Sequence, residues 1–271
     1  MRVAAIQMTS THEIDANLEA ARVHLESASR AGAVLAALPE NFAFMGRNSG
    51  DKRAVAEAEG AGHIQDFLAE TARRLQIWIV GGTIPLRLEE DGRVAAACLV
   101  YDSDGQRVAR YDKIHLFDVD VPGSRESHRE SEHVRPGADP RVIDSPVGRL
   151  GLAVCYDMRF PELFRILSRQ GADIFVVPSA FTVPTGRAHW DSLLRARAIE
   201  NLCGLVAPAQ WGVHPNGRET FGDSMIIDHW GKVLARMPSG TGCVIADFDP
   251  GARSMARRQF PALEHRVIHD I

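Results

Sequence analysis

Short apolar runs alternate with longer segments whose apolar residues recur every three or four positions. Val3–Met8, Val34–Leu38, Gln76–Val80, Leu150–Val154, Asp173–Pro178, Leu202–Ala209 and Gly242–Phe248 have the length and composition of buried strands. Asp15–Ala31 carries Leu18, Ala21 and Leu25 at helical spacing before Gly32, and His63–Leu75, Pro161–Gln170 and Ala188–Asn201 read as helices in the same way. Arg93–Tyr101 and Gln106–Asp112 form a predicted hairpin through Ser103-Asp104-Gly105, and Ser224–Asp228 pairs with Lys232–Arg236 through His229-Trp230-Gly231. Arg141–Ile143 is a further short strand, while Asp118–Pro140 reads as a long functional loop and 210–222 as a shorter one.

Strand–helix alternation interrupted by hairpins excludes a purely parallel sheet. Two mixed sheets face to face with helices outside bury this many apolar strands, and without a linker-like segment or repeat residues 1–271 read as one α/β domain with a C-terminal arm from about 249.

Composition narrows the partners. A net charge of −4 gives no footprint for nucleic acid or an anionic membrane surface, and no apolar run approaches spanning length. Arg253, Arg257 and Arg258 cluster without interleaved aromatics, as on a solvated or subunit-facing helix. Cys98, Cys155, Cys203 and Cys243 are scattered and form no CxxC pair, which points to a reducing compartment; with no signal peptide at the start of the chain the expected location is the cytoplasm.

Candidate chemistry lies just past strand ends. Cys155 closes an apolar strand six residues before Pro161 opens a helix, in the crevice where open sheets bind ligands; a helix N-terminus and a cation there would favour the thiolate. Glu40 and Lys113 also follow strands. Taken singly, each is an ordinary residue: a small buried hydrophobe, a solvated turn carboxylate, a surface ammonium. His115, His189 and His214 are candidate bases for a Cys–His hydrolase, and His128, Glu130 and His133 match no standard zinc spacing. GxSxG, GxGxxG and P-loop patterns are absent.

In order along the chain, LPENF (38–42), YDKIHLFDV (111–119) and LAVCYDMRFPELFR (152–165) resemble the nitrilase, or carbon–nitrogen hydrolase, superfamily, and the likeness runs from AAIQM to WGKVLA. PSAF (178–181), TGRAHW (185–190), LLRARAIEN (193–201) and TFGDSMIIDHWG (220–231) resemble its Nit branch. The resemblance implies a four-layer α-β-β-α sandwich, a homo-oligomer of two or more chains, and no cofactor or metal. It implies hydrolysis of a small α-keto acid amide of the deaminated-glutathione type through a Cys155 thioester with release of ammonia. The alternatives are 2-oxoglutaramate or succinamate, carbamoyl amino acids, nitriles, and a non-catalytic interaction protein on the same fold. In that reading Glu40 is the general base, Lys113 and the Tyr156 N–H hold the oxyanion, and Glu130, in an ESxxxxPG segment beside Glu126 and Glu132, is the second glutamate. Arg159 is the first candidate for a substrate carboxylate, against an ion pair with Glu162 or Asp157. Phe42 and Phe181 are candidate pocket walls or plain core, and Arg187 is a candidate substrate contact. Arg187, Asp223 and His229 depart from the branch pattern, where Pro, His and Pro are frequent.

Overall fold

The computed structural model describes residues 1–89, 92–122 and 126–268; the predicted loop's residues 123–125 and the arm's last three, 269–271, lie outside the described residues. One sheet contains β1 (Arg2–Gln7), β2 (Leu35–Ala37), β3 (Trp78–Val80), β4 (Ile84–Arg87), β5 (Val94–Tyr101), β6 (Arg107–Asp112) and the final strand β17 (Gly242–Asp247), in the order β17-β1-β2-β3-β5-β4 with β6 also on β5. The hairpin β7 (Asp118–Asp120) and β8 (Ser127–Arg129) crosses the predicted loop. The second sheet is built from β9 (Arg141–Ile143), β10 (Leu150–Leu152), β11 (Ile174–Val176), β12 (Gly204–Ala207), β15 (Ser224–Ile227) and β16 (Val233–Met237), with the hairpin β13 (Trp211–Val213) and β14 (Glu219–Phe221) beside it. The helices are α1 (Ile14–Arg30), α2 (His63–Leu75), α3 (Pro161–Arg169), α4 (Val183–Asn201) and α5 (Pro250–Gln259).

Side-chain alternation builds the layers. Ala4, Ile6, Ala36, Leu38, Ile79 and Leu99 face a cluster with Leu18, Leu25, Ile64 and Leu68 of α1 and α2. Their neighbours Val3, Ala5, Leu35, Ala37, Val80 and Val100 face the second sheet's Leu152, Val176, Val206 and Ile226. That sheet is covered by Leu163, Phe164 and Leu167 of α3 and Trp190, Leu194 and Ala198 of α4. Each fully buried Leu or Ile contributes about 1.5–3 kcal/mol. The expected α-β-β-α sandwich is therefore the observed one.

Most expected elements hold within two residues. Helix α4 starts five residues earlier than its apolar spacing indicates, because Pro184 fits the first turn and Thr182 precedes it. Ala153 and Val154 leave the ladder that the apolar run suggests, although Ala153 N–H still reaches the Val176 carbonyl at 3.1 Å. The arm's basic cluster is not simply solvated. Asp249 caps α5, Arg253 pairs with Asp173 at 3.0 Å, and Arg257 donates to the Ala172 and Leu202 carbonyls. Among the described residues no helix is long and apolar enough to cross a membrane.

Candidate active site

Strand ends deliver the three groups to one crevice. β1, β2 and β3 run parallel, β5 is antiparallel to β3, and β6 is antiparallel to β5, so β2 and β6 end on the same side of the sheet. Glu40 follows β2 by three residues. Its loop is held by Gln210, which donates to the Glu40 carbonyl at 3.0 Å, and by Thr83, whose hydroxyl accepts the Asn41 N–H at 2.9 Å. Gly82 makes the turn possible. Its φ is +52°, and an added Cβ would stand 2.0 Å from the Pro39 carbonyl oxygen.

Lys113 is the first residue after β6. Gly137 N–H donates to its carbonyl at 2.9 Å, and a Cβ on Gly137 would meet the Asp112 carbonyl at 2.2 Å. The Pro136-Gly137 step thus lets the Glu130 segment lie against the strand that carries Lys113. Lys113 Nζ donates to Glu40 Oε1 at 2.9 Å and to Glu130 Oε2 at 2.8 Å, and the same Glu130 oxygen accepts the Phe117 N–H at 2.8 Å. The Lys113 side chain is 2% exposed, that of Glu40 5% and that of Glu130 14%. Burial opposes charge on Lys113, but Glu130 and Glu40 outweigh it and hold its pKa well above the usual ammonium range. Burial works against charge on Glu130 as well; Lys113 and Lys52 overcome it and bring the carboxyl down to about 2.

Cys155 opens the turn Cys155–Arg159 after β10, with φ +48°, a left-handed backbone rare outside glycine. Its N–H is satisfied by the Pro178 carbonyl at 2.9 Å, and the residue is 7% exposed. Burial and the Glu40 carboxylate push the thiol well above its ordinary pKa, outweighing Lys113 and the Ala180 N–H. Helix α3 begins at Pro161, as the sequence predicts, six residues beyond Cys155.

A cavity of about 720 Å³ opens over these groups, lined among others by Glu40, Lys113, Glu130 and Cys155. Tyr156, Arg159 and Phe181 form part of its wall. Arg159 makes no ion pair with Glu162 or Asp157: its guanidinium lies 5.7 Å from the Tyr156 ring centre and 5.4 Å from that of Phe181, and Nη1 contacts His189 Nδ1 at 3.2 Å.

Two expected contacts do not reach the cavity. Phe42 is fully buried in the core under α1 and α2, where LPENF turns inward after Pro39. Arg187 lies on the exposed face of α4 and does not line the cavity. The rival bases are held elsewhere: His115 by Asp157 at 2.7 Å, His214 between the Ser10 carbonyl and the Thr220 hydroxyl, both at 2.8 Å, and His189 by Arg159. Of the substituted positions, Asp223 meets Arg236 in a two-pronged pair at 2.6 and 2.7 Å, which gives the change from His a structural partner. Sequence reading missed Lys52 and Arg218, both lining the cavity. Each sits in a polar loop without a motif, so only the folded arrangement distinguishes them.

A sandwich that gathers a thiol, an ammonium and two carboxylates at one crevice is built for acyl transfer, and the family match agrees. The carbon–nitrogen hydrolase model matches residues 2–258, and the chain belongs to that family, a hydrolase of carbon–nitrogen bonds other than peptide bonds. It is 46% identical over 268 residues to the deaminated glutathione amidase of Synechocystis sp. (strain PCC 6803 / GT-S), covering 98% of this chain and 97% of that protein. It is 41% identical over 264 residues to the deaminated glutathione amidase of Yersinia enterocolitica, covering 97% and 92%. Its structure resembles that of the C. elegans NitFhit protein with a TM-score of 0.90 and 37% identity over 98% of this chain and 65% of that longer one.

Proposed function

We propose that the chain hydrolyses the amide of a small α-keto acid through a covalent thioester on Cys155. The observation that carries this reading is the Glu40–Lys113–Glu130 network on the cavity that Cys155 also lines. Glu40 takes the thiol proton as sulfur attacks the amide carbonyl, so that a C–S bond forms and the carbonyl electron pair moves to oxygen. The Lys113 ammonium and the Tyr156 N–H receive that oxyanion. Glu40 then passes its proton to the departing nitrogen as the C–N bond breaks, leaving the thioester. It next deprotonates a water that attacks the thioester carbon, and the sulfur leaves as thiolate and recovers the proton. A thiol whose pKa is raised by burial and by the Glu40 carboxylate suits this sequence, because Glu40 is also the base that takes its proton.

Glu130 keeps Lys113 charged and aimed, and Arg159 holds the keto-acid carboxylate. Its guanidinium is oriented by two rings and a histidine and spends nothing on a protein carboxylate. Tyr156 and Phe181 orient Arg159, while Phe42 and Arg187 have no part in the site.

Deaminated glutathione, the compound in the relatives' names, is the substrate we favour. Its chemistry amends the expected product: glutathione has no primary carboxamide, so cleavage at the keto-acyl amide releases an amine-bearing fragment, and ammonia comes only from primary amides such as 2-oxoglutaramate. We place the enzyme in the cytoplasm as a single-domain subunit of a homo-oligomer. All four cysteines are free, and Trp230, Met255 and Phe260 present apolar surface that a second copy would cover.

The test is kcat/KM across deaminated glutathione, 2-oxoglutaramate, a carbamoyl amino acid and a nitrile, with carboxylate and amine products both measured. The two α-keto amides should lead. Turnover confined to the carbamoyl compound or the nitrile overturns the reading.

A further inference from the structure

Two cations of the cavity have no assigned task. Lys52 lies in the short turn Ser49–Arg53, and Arg218 lies at the tip of the β13–β14 hairpin. Their loops are tied together, since Asn216 donates to the Gly46 carbonyl at 2.8 Å. Arg218 spends Nη2 on the Ala180 carbonyl at 2.6 Å, and its Nε is buried with no hydrogen-bond partner. Neither Lys52 nor Arg218 has a carboxylate within ion-pairing distance among the described residues, although both line the cavity. Two cations held in one wall, one with an unsatisfied buried donor, are costly unless an anion completes them. Burial and the nearness of Lys113 and Arg218 make Lys52 easier to deprotonate, partly offset by Glu130 and Glu40, so a bound anion would relieve the wall.

The charges of the substrate class assign the anion. The acyl part of a 2-oxoglutarate-type amide has one carboxylate, which Arg159 holds in the reading above, so a carboxylate that meets Lys52 and Arg218 in the same cavity belongs to the leaving amine. Arg159 stands with Tyr156 and Phe181, and Arg218 enters the cavity from the neighbouring Ala180 carbonyl. We infer that Lys52 and Arg218 form a second carboxylate subsite, which selects amides whose leaving amine itself carries a carboxylate. The enzyme then discriminates on both sides of the scissile bond: Arg159 reads the keto-acid end and the Lys52–Arg218 pair reads the amine end. This inference rests on the α-keto amide reading above. It also places the enzyme downstream of a reaction that converts an amino-acylated amine with a free carboxylate into its α-keto counterpart.

The experiment uses two matched substrates, the 5-amide of 2-oxoglutarate with glycine and the same amide with glycinamide, which differ only in the leaving-side carboxylate. Wild-type enzyme should favour the glycine amide by about 10- to 100-fold in kcat/KM, the range of a charge-assisted contact. Lys52→Met and Arg218→Met should each cut that preference several-fold, and the double variant should bring it within about threefold of unity. Arg218→Lys should retain more of it than Arg218→Met. Because each ratio is measured within one protein preparation, partial unfolding lowers both rates and leaves it unchanged. Equal wild-type rates on the two amides, or a preference that survives the double variant, overturns the subsite and leaves the α-keto amide reading intact. A wild-type enzyme that cleaves neither these amides nor 2-oxoglutaramate overturns that reading and the subsite with it.

Discussion

The Asp157 carboxylate accepts the Tyr111 hydroxyl at 2.6 Å, and this buried bond joins the strand that carries Lys113 to the turn that carries Cys155. Asp157 also accepts the Val154 N–H at 2.8 Å and the His115 N–H at 2.9 Å. One fully buried carboxylate therefore fixes backbone on both sides of the site. Replacing it by Ala leaves several buried donors unpaired, each at about 1–3 kcal/mol. Asp157→Ala should unfold at much lower temperature and lose most of its kcat, whereas Tyr111→Phe, which removes one donor and leaves the others seated, should cost about 1 kcal/mol. Thermal unfolding and kcat measured together check this; an Asp157→Ala enzyme with wild-type melting would show that the turn is held by other means.

Lys113 carries two burdens that one substitution cannot separate. Lys113→Met removes an oxyanion donor, worth about 10²–10³ in rate. It also strands two buried carboxylates, and breaking such a network costs about 3–5 kcal/mol. Adding Glu130→Gln to Lys113→Met removes one stranded charge. The double variant should therefore recover part of the melting temperature while its kcat stays low. Recovery of both would make Lys113 a structural group only. Glu40→Gln and Cys155→Ala should fall by more than about 10³ in kcat while unfolding near the wild-type temperature.

Much of this site was legible because its groups sit at strand ends, where an apolar run stops and a reactive residue follows. Glu40, Lys113 and Cys155 stand out that way, whereas Glu130 stands out only through the family resemblance of its ESxxxxPG segment, whose Gly137 packs closely on Asp112. What periodicity could not give was direction. Phe42 follows Glu40 by two residues, yet the left-handed Asn41 between them, with φ +57°, turns it into the core. Arg187 falls on the outer face of a helix whose early start at Val183 its apolar spacing does not reveal. Lys52 and Arg218 come from loops about 170 positions apart that only the fold brings together, through the bond from Asn216 to Gly46.

The thiols give a test of access against acidity. Burial raises Cys98 and Cys203 to about 12, and burial with the Glu40 carboxylate pushes the Cys155 thiol well up as well. Cys155 alone of the four lines the cavity. Iodoacetamide under native conditions should therefore alkylate Cys155 selectively but slowly near neutral pH, with a rate that climbs as pH rises. Lys113→Met removes the cation that favours thiolate and should slow labelling further. Mass spectrometry of the intact and digested protein reads both effects. Fast labelling that is independent of pH above 6 would mean a preformed thiolate.

Glu130 sets the acid limit of the fold. Its folded pKa of about 2 lies below the ordinary 4.5, so the unfolded chain binds the proton more readily than the folded one. Stability from this group is complete above about pH 5.5, erodes as pH falls through 4.5, and is gone near 2. The shift corresponds to a few kcal/mol at most, because the carboxylate shares Lys113 with Glu40. Glu130→Gln should be less stable than wild type at pH 7, and the gap should narrow steadily between about pH 5 and pH 3 in denaturant titrations at each pH. Lys113→Met should shrink the same gap at neutral pH, since the ammonium is what holds the Glu130 proton off. A gap that stays constant down to pH 3 would assign the stability of Glu130 to its hydrogen bond from Phe117 N–H rather than to its charge.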